Sequence, residues 1–313
     1  MEFNFIESMN AKPKPFLKWA GGKTQLLETI HNSLPKDIYE SKFTYVEPFV
    51  GSGAVLFSMI NNFSTLDRVV INDINSDLIN CYFTIKDNVT HLISELKELE
   101  FKYYTFKDKP EDRKEFYYLK RSEFNSRNCD IIIQSSLFIF LNRTCFNGLY
   151  RVNRNNNFNV PIGSYVTPQI CDSKNLFSVS EALQKIDILC ADFEQTLNYV
   201  SGNTFFYFDP PYKPLSQTSS FNSYAKDDFN DIQQIRLRDF CSKLNTNGYK
   251  WMLSNSDVKD NNPNNDFFDE LYNQFNITRV RAKRSINANP DKRGELNELL
   301  ITNYLNEQIV SVA

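Results

Sequence analysis

Hydrophobic positions along the chain follow two rhythms. Short runs rich in aromatic and β-branched residues occur at 43–46, 68–71, 186–190, 204–208, 249–253, 277–282 and 299–304, with turn signals between them. Such runs predict strands. Helical spacing falls between several of them, at 53–61, 76–86 and 227–244. Strands alternating with helices predict an α/β fold with a mostly parallel, doubly wound sheet. Residues 85–172 break the alternation. They hold a charged helical run at 89–99, a helical pattern at 112–125, an apolar run at 131–141 and an Asn- and aromatic-rich loop reaching Tyr165. Residues 1–84 and 173–313 are therefore expected to form one α/β domain, with 85–172 inserted as a helical domain.

Composition narrows the class. At 313 residues, with 41% hydrophobic and 23% charged positions, the chain can bury a core without staples. Its richest apolar stretch, 131–141, is broken by Gln134, Ser135 and Ser136. That is too short and too polar to span a bilayer. The opening Met1-Glu2-Phe3-Asn4 lacks the basic-then-apolar order of a secretory signal, so a cytoplasmic location is expected. Only His31 and His91 occur, which disfavours a multi-histidine metal site and a Ser-His-Asp or Cys-His triad; no metal is expected. Six cysteines without a C-x-x-C pair read as buried thiols in a reducing compartment.

The formal charge of −3 excludes a uniformly basic nucleic-acid binder, but the cations cluster. Lys12, Lys14, Lys18 and Lys23 fall in an acid-free stretch, as do Arg143, Arg151 and Arg154. Arg279, Arg281, Lys283, Arg284, Lys292 and Arg293 crowd near the end. Together the three islands predict one basic face meeting a polyanion; any one alone fits an ordinary solvated surface equally well.

Two motifs carry candidate chemistry. Glu47-Pro48-Phe49-Val50-Gly51-Ser52-Gly53 runs from a strand through a glycine turn into a helix, and Asp73 ends the next strand. Glycines bring the backbone close to a ligand, and an acid at the following strand tip can bind both hydroxyls of a ribose. A nicotinamide fingerprint would need a third glycine where Leu56 stands. A plain structural turn remains open for this motif taken alone. The second motif is Asp209-Pro210-Pro211-Tyr212, directly after the strand at 204–208. The prolines stiffen the turn, a carboxylate and a proline carbonyl can accept both hydrogens of an exocyclic amino group, and Tyr212 can stack on a flat ring.

At these motifs, and over nearly its whole length, the chain resembles the DNA adenine-N6 methyltransferases of the Dam type. Pro15-Phe16-Leu17-Lys18-Trp19-Ala20-Gly21-Gly22-Lys23 is similar to that family's opening cofactor motif. Ala191-Asp192-Phe193 is similar to the position whose acid binds the cofactor's adenine. In the insert, Leu141-Asn142-Arg143-Thr144-Cys145-Phe146-Asn147-Gly148-Leu149-Tyr150-Arg151 and Phe158-Asn159-Val160-Pro161 resemble the segment that recognises GATC. The motif order matches the α-type arrangement.

The resemblance implies a Rossmann-like methyltransferase with an inserted target-recognition domain. It would use S-adenosylmethionine to methylate the N6 of adenine in duplex DNA, with base flipping. Asp209, Pro210, Pro211 and Tyr212 would carry the chemistry. Trp19, Ala20, Gly21, Lys23, Glu47, Pro48, Phe49, Gly51, Gly53, Asp73, Asp192, Phe193 and Asp209 would hold the cofactor. Lys18 and Arg151 would read the two guanines, Leu149 and Pro161 a thymine methyl, and Phe146 and Asn147 would enter the stack. Arg143 and Asn153 complete the expected DNA contacts. A monomer is expected, with a cognate restriction endonuclease as a possible partner.

Three rivals remain open on the residues. The same chemistry could act on RNA or another duplex sequence. A silent DNA-binding protein is disfavoured, since binding alone needs neither the Asp-Pro-Pro-Tyr turn nor the glycine loop. A nicotinamide oxidoreductase is disfavoured by Leu56. A cytosine-C5 enzyme would need a cysteine preceded by proline, and none of the six has that context.

Overall fold

The computed structural model describes residues 11–19, 21–213, 229–260, 262–283 and 295–305. Seven strands form one sheet in the order β3-β2-β1-β4-β5-β7-β6. They are β1 (Phe43–Glu47), β2 (Leu66–Asn72), β3 (Ile186–Leu189), β4 (Thr204–Phe208), β5 (Lys250–Ser256), β6 (Asn276–Lys283) and β7 (Glu295–Thr302). The first five pair in parallel, and β7 runs antiparallel between β5 and β6. All seven expected runs are strands of this sheet, which is the fold of a Rossmann-like methyltransferase.

The central strands β1, β4 and β5 are buried at nearly every position because both faces are covered. Tyr45, Phe205, Tyr207 and Met252 enter one hydrophobic cluster. Their neighbours Val46, Phe206, Phe208 and Leu253 enter the other. On the first face lie helices α1 (Ala54–Asn62), α2 (Ser76–Tyr104), α3 (Pro110–Ser126), α4 (Ile131–Thr144) and α5 (Ser173–Leu183). On the second lies α6 (Asp231–Thr246), whose Leu237, Phe240, Cys241 and Leu244 are buried.

Two helical elements differ from their sequence reading. The patterns at 76–86 and 89–99 form one helix, α2, interrupted only by the non-helical backbone of Asn88. Its start is capped by the Asn75 side chain, which accepts from the amides of Asp77 and Leu78. The apolar run at 131–141 is helix α4, capped by Asp130 and buried nearly all round. Its two serines are satisfied inside the core: the Ser135 hydroxyl meets the Thr84 hydroxyl at 2.9 Å, and the Ser136 hydroxyl donates to the Ile133 carbonyl. Helix α4 packs along α2 and shares its hydrophobic cluster with the sheet, so residues 131–144 are seated on the α/β core over a continuous apolar surface. Of the thiols expected to be buried, Cys81, Cys145 and Cys241 are; Cys129 and Cys171 are partly so, and Cys190 is exposed. No helix among the described residues is long and apolar enough to cross a membrane.

Candidate active site

The carboxyl ends of β1, β2, β3 and β4 open onto a cleft of about 1000 Å³. Ligands in doubly wound sheets bind at this edge. Gly51, at φ +50°, and Gly53, at φ +77°, turn the chain from β1 into α1. A Cβ on Gly51 would come within 3.1 Å of the Trp19 indole nitrogen, so this close approach of loop and ring requires glycine. Gly51 is held from two sides: its amide donates to Asp73 Oδ2 at 3.2 Å, and its carbonyl accepts from the Tyr82 hydroxyl at 3.0 Å.

Three acids stand around the cleft in different states. Glu47, 2% exposed, accepts from the Tyr45 hydroxyl at 2.8 Å, and burial pushes its carboxyl well above the usual range. Burial also raises Asp73, against the amides of Asn75 and Gly51 that bond it. For Asp192, burial alone would raise the carboxyl, but the bond from Arg236 overrides it and holds it below the ordinary value. Arg236 grips Asp192 at 2.6 and 2.8 Å, reaches Glu194 at 2.6 Å, and lies 4.6 Å from the Phe193 ring centre.

Asp209 stands at the tip of β4. Its Oδ1 is 2.7 Å from the Lys23 ammonium and accepts from the Ser254 hydroxyl at 3.2 Å. Burial raises its carboxyl, and Lys23 and Ser254 work against that rise. Lys23 is 2% exposed; it also donates to the Gly21 carbonyl at 2.9 Å and lies 4.5 Å from the Tyr212 ring centre. Pro210, Pro211 and Tyr212 line the cleft beside it. The structure thus brings Trp19, Gly21, Lys23, Glu47, Pro48 and Phe49 together with Gly51, Asp73, Asp192, Phe193 and the Asp-Pro-Pro-Tyr turn. Gly53 lies just beneath, at the start of α1. Ala20 lies outside the described residues.

The expected DNA contacts divide by exposure. Phe146 is 46% exposed, Asn147 follows it in a left-handed conformation (φ +55°), and Pro161 is exposed. The Phe146 amide bonds the Pro161 carbonyl at 2.9 Å, joining the two halves of the loop. Leu149 is half-buried and packs on the core. Arg151 Nε donates to Asn159 Oδ1 at 2.7 Å. Lys18 lays its ammonium 3.8 Å from the Tyr165 ring centre. Two residues are engaged by their own chain. Arg143 donates to the Phe16 carbonyl, and its Nε is buried without a partner. The Asn153 carboxamide accepts from the Asn155 and Asn157 amides and so shapes its own turn. In the last basic island, Arg279 is held by Asp257 and Asp269, each at 2.8 Å. Arg284, Lys292 and Arg293 lie outside the described residues.

Several working residues had no role assigned from the sequence. Asn72, buried at the tip of β2, donates to the carbonyls of Pro48 and Ala191 and accepts from the Ala191 amide, each at 3.0 Å. It pins three strand tips around the cleft. Tyr150 of the insert stacks on Trp19 with ring centres 5.7 Å apart. Asn142 ties Lys18 to the loop, accepting from the Lys18 amide and donating to the carbonyls of Lys18 and Gly148.

Comparison with known proteins agrees with this geometry. Residues 19–286 match the family model for D12 class N6 adenine-specific DNA methyltransferase. The Type II methyltransferase M.MjaIII of Methanocaldococcus jannaschii is 52% identical, covering 93% of this chain and 99% of its own. A Type II methyltransferase of Lactococcus lactis subsp. cremoris is 38% identical over 97% of this chain and 100% of its own. The DNA adenine methylase of Haemophilus influenzae is 36% identical over 92% and 93%. With the cleft, the glycine loop and the Asp-Pro-Pro-Tyr turn at one sheet edge, the chain belongs to the D12 class of N6 adenine-specific DNA methyltransferases.

Proposed function

We propose that this adenine-specific DNA methyltransferase uses S-adenosylmethionine to methylate adenine within GATC in duplex DNA, after flipping the base into the cleft. The observation that carries the reading is the shared edge. The Asp209 carboxylate, Tyr212 and the acid-lined glycine cleft meet at the ends of adjacent strands.

The residues present fit the cofactor. Gly51 leaves the space beside Trp19 that a Cβ would fill, Asp73 faces the same loop, and Asp192 with Phe193 offers a carboxylate and a ring for a purine. When bound, S-adenosylmethionine supplies an electrophilic methyl group on a sulfonium centre. The chain does the rest. Asp209 and the Pro210 carbonyl accept the two amino hydrogens of adenine, which favours a pyramidal nitrogen with a free lone pair. Lys23 and Ser254 help keep the Asp209 carboxylate ionised for this role. No strong base is needed, since the nitrogen turns acidic only as it is alkylated; Asp209 then receives or relays its proton.

The target amino group lies inside a duplex, so the base must leave the stack, and Tyr212 offers the ring on which it rests. Exposed Phe146 and left-handed Asn147 suit the vacated space. Arg151 and Lys18 suit guanine edges, and Pro161 with Leu149 a thymine methyl. The Type II names of the relatives from M. jannaschii and L. lactis support a place in a restriction–modification system, with a cognate endonuclease as partner. The domain reading carries over, with 85–172 as the recognition insert. Labelled S-adenosylmethionine offered with a GATC duplex, a scrambled duplex and RNA tests the whole reading. Label is expected in the GATC duplex alone; equal label in the scrambled duplex, or label in RNA, would overturn it.

A further inference from the structure

A carboxylate that neither motif contains closes the cluster around Asp209. Glu298, on β7 opposite Ser256, accepts from the Tyr212 hydroxyl at 2.7 Å, and the same oxygen lies 4.0 Å from the Lys23 ammonium. Lys23 in turn touches Asp209 at 2.7 Å and faces the Tyr212 ring. One ammonium, two carboxylates and one phenol therefore form a cluster of contacts drawn from three distant parts of the chain. The Glu298 side chain is only 19% exposed. Desolvating a carboxylate is costly, and an apolar residue of similar size would hold a sheet as well. The position asks for a charge.

The geometry points to Glu298 as a positioning residue for methyl transfer, one that sets the Tyr212 ring beside Asp209 and receives the Lys23 ammonium when Asp209 turns to the substrate. Asp209 Oδ1 already accepts from Lys23 and Ser254, so an incoming amino hydrogen must take Oδ2 or displace the ammonium from Oδ1. A second carboxylate one short movement away lets Lys23 remain paired while Asp209 Oδ1 is vacated. The phenol bond separately removes one rotational freedom from the ring on which the base rests. The inference rests on the reading of Asp209 and Tyr212 as the pair that grips adenine.

Single-turnover transfer of labelled methyl to a GATC duplex, with KM measured for duplex and cofactor, tests it in Glu298→Ala, Glu298→Gln, Tyr212→Phe, Asp209→Asn and the double variant Tyr212→Phe/Glu298→Ala. Loss of the buried bond in Glu298→Ala is expected to slow the chemical step roughly tenfold or more, with each KM held within about threefold. Glu298→Gln keeps an oxygen for the phenol and is expected to fall between Glu298→Ala and wild type. The double variant is expected to be no slower than Glu298→Ala, because both substitutions cut one bond. A folded Glu298→Ala with the wild-type rate, a raised KM at unchanged rate, or fully additive losses would overturn the inference. Should Glu298→Ala fail to fold, Glu298→Gln and Tyr212→Phe decide: both slowed at unchanged KM supports it, and either at the wild-type rate overturns it. Asp209→Asn separates the two levels. Full activity there sinks the underlying reading, whereas an inactive Asp209→Asn beside a fully active Glu298→Ala sinks this inference alone.

Discussion

The Lys23 ammonium lies 2.7 Å from Oδ1 of Asp209, and Lys23 is 2% exposed. A cation from the opening motif is thus buried against the carboxylate of the Asp-Pro-Pro-Tyr turn. The pair joins the N-terminal segment to the tip of β4, and the protonation of Asp209 is set across that junction.

The acid limb of the reaction reports this pair. Methyl transfer needs an ionised Asp209, and burial raises its carboxyl while Lys23 lowers it. Activity is expected to fall, as pH drops, at a value above the ordinary carboxylate range. In Lys23→Met that fall is expected at higher pH still, because the lowering charge is gone. The pH dependence of single-turnover rates in both proteins checks the direction; an unmoved limb would separate Lys23 from Asp209.

Gly51→Ala strains the cofactor loop. Its φ of +50° and the 3.1 Å approach of a Cβ to Trp19 both oppose a side chain. A stability loss of about 1–2 kcal/mol is expected from the left-handed backbone alone. Cofactor affinity should fall as Trp19 is displaced. Trp251 is fully buried on the sheet's other face, so a changed indole emission on ligand addition is assigned to Trp19. Thermal melts and fluorescence titration measure the two effects.

The acids of the cleft should separate in the same way. Asp192→Ala and Asp73→Ala are each expected to weaken S-adenosylmethionine by on the order of 1–3 kcal/mol, the cost of an acceptor lost beside a buried partner. Asp73→Ala should also lower the melting temperature, since Asp73 accepts from the Gly51 and Asn75 amides. Calorimetry with wild-type affinity in both variants would remove these residues from the cofactor site.

Much of this was legible in the sequence because the signals are local. Glycines and prolines directly after apolar runs marked the loop at Gly51 and the turn at Asp209, and alternating rhythms marked the sheet. What escaped was long-range. Asn72 meets Ala191 across 119 positions, Tyr212 meets Glu298 across 86, and Asp192 meets Arg236 across 44, distances over which no spacing rule acts. Charge islands gave no sign that Arg143 and Arg279 have internal partners, for the same reason. A cation reads as free until the fold brings it a carbonyl or a carboxylate. The break between the helical patterns at 86 and 89 was the kink at Asn88, not a loop.

Recognition should fail independently of chemistry. Arg151, oriented by Asn159 at 2.7 Å, is not among the residues that line the cleft beside the Asp-Pro-Pro-Tyr turn. Arg151→Ala is expected to keep methyl transfer but relax discrimination at the outer guanine by roughly 1–3 kcal/mol, the worth of one bidentate guanine contact. Rates on GATC and its single-base variants check this. A uniform slowing that preserves their ranking would make Arg151 a phosphate contact.

Asp209 itself offers the most direct measurement. Single-turnover methylation of a GATC duplex by Asp209→Ala, paired with titrations of S-adenosylmethionine and of the duplex, separates chemistry from binding in one protein. Methyl transfer is expected to vanish while duplex affinity stays within a few-fold of wild type and cofactor affinity falls by no more than the worth of one lost contact, because the carboxylate acts on a base already in the cleft. Methylation at the wild-type rate would contradict the assignment of the reaction to this turn.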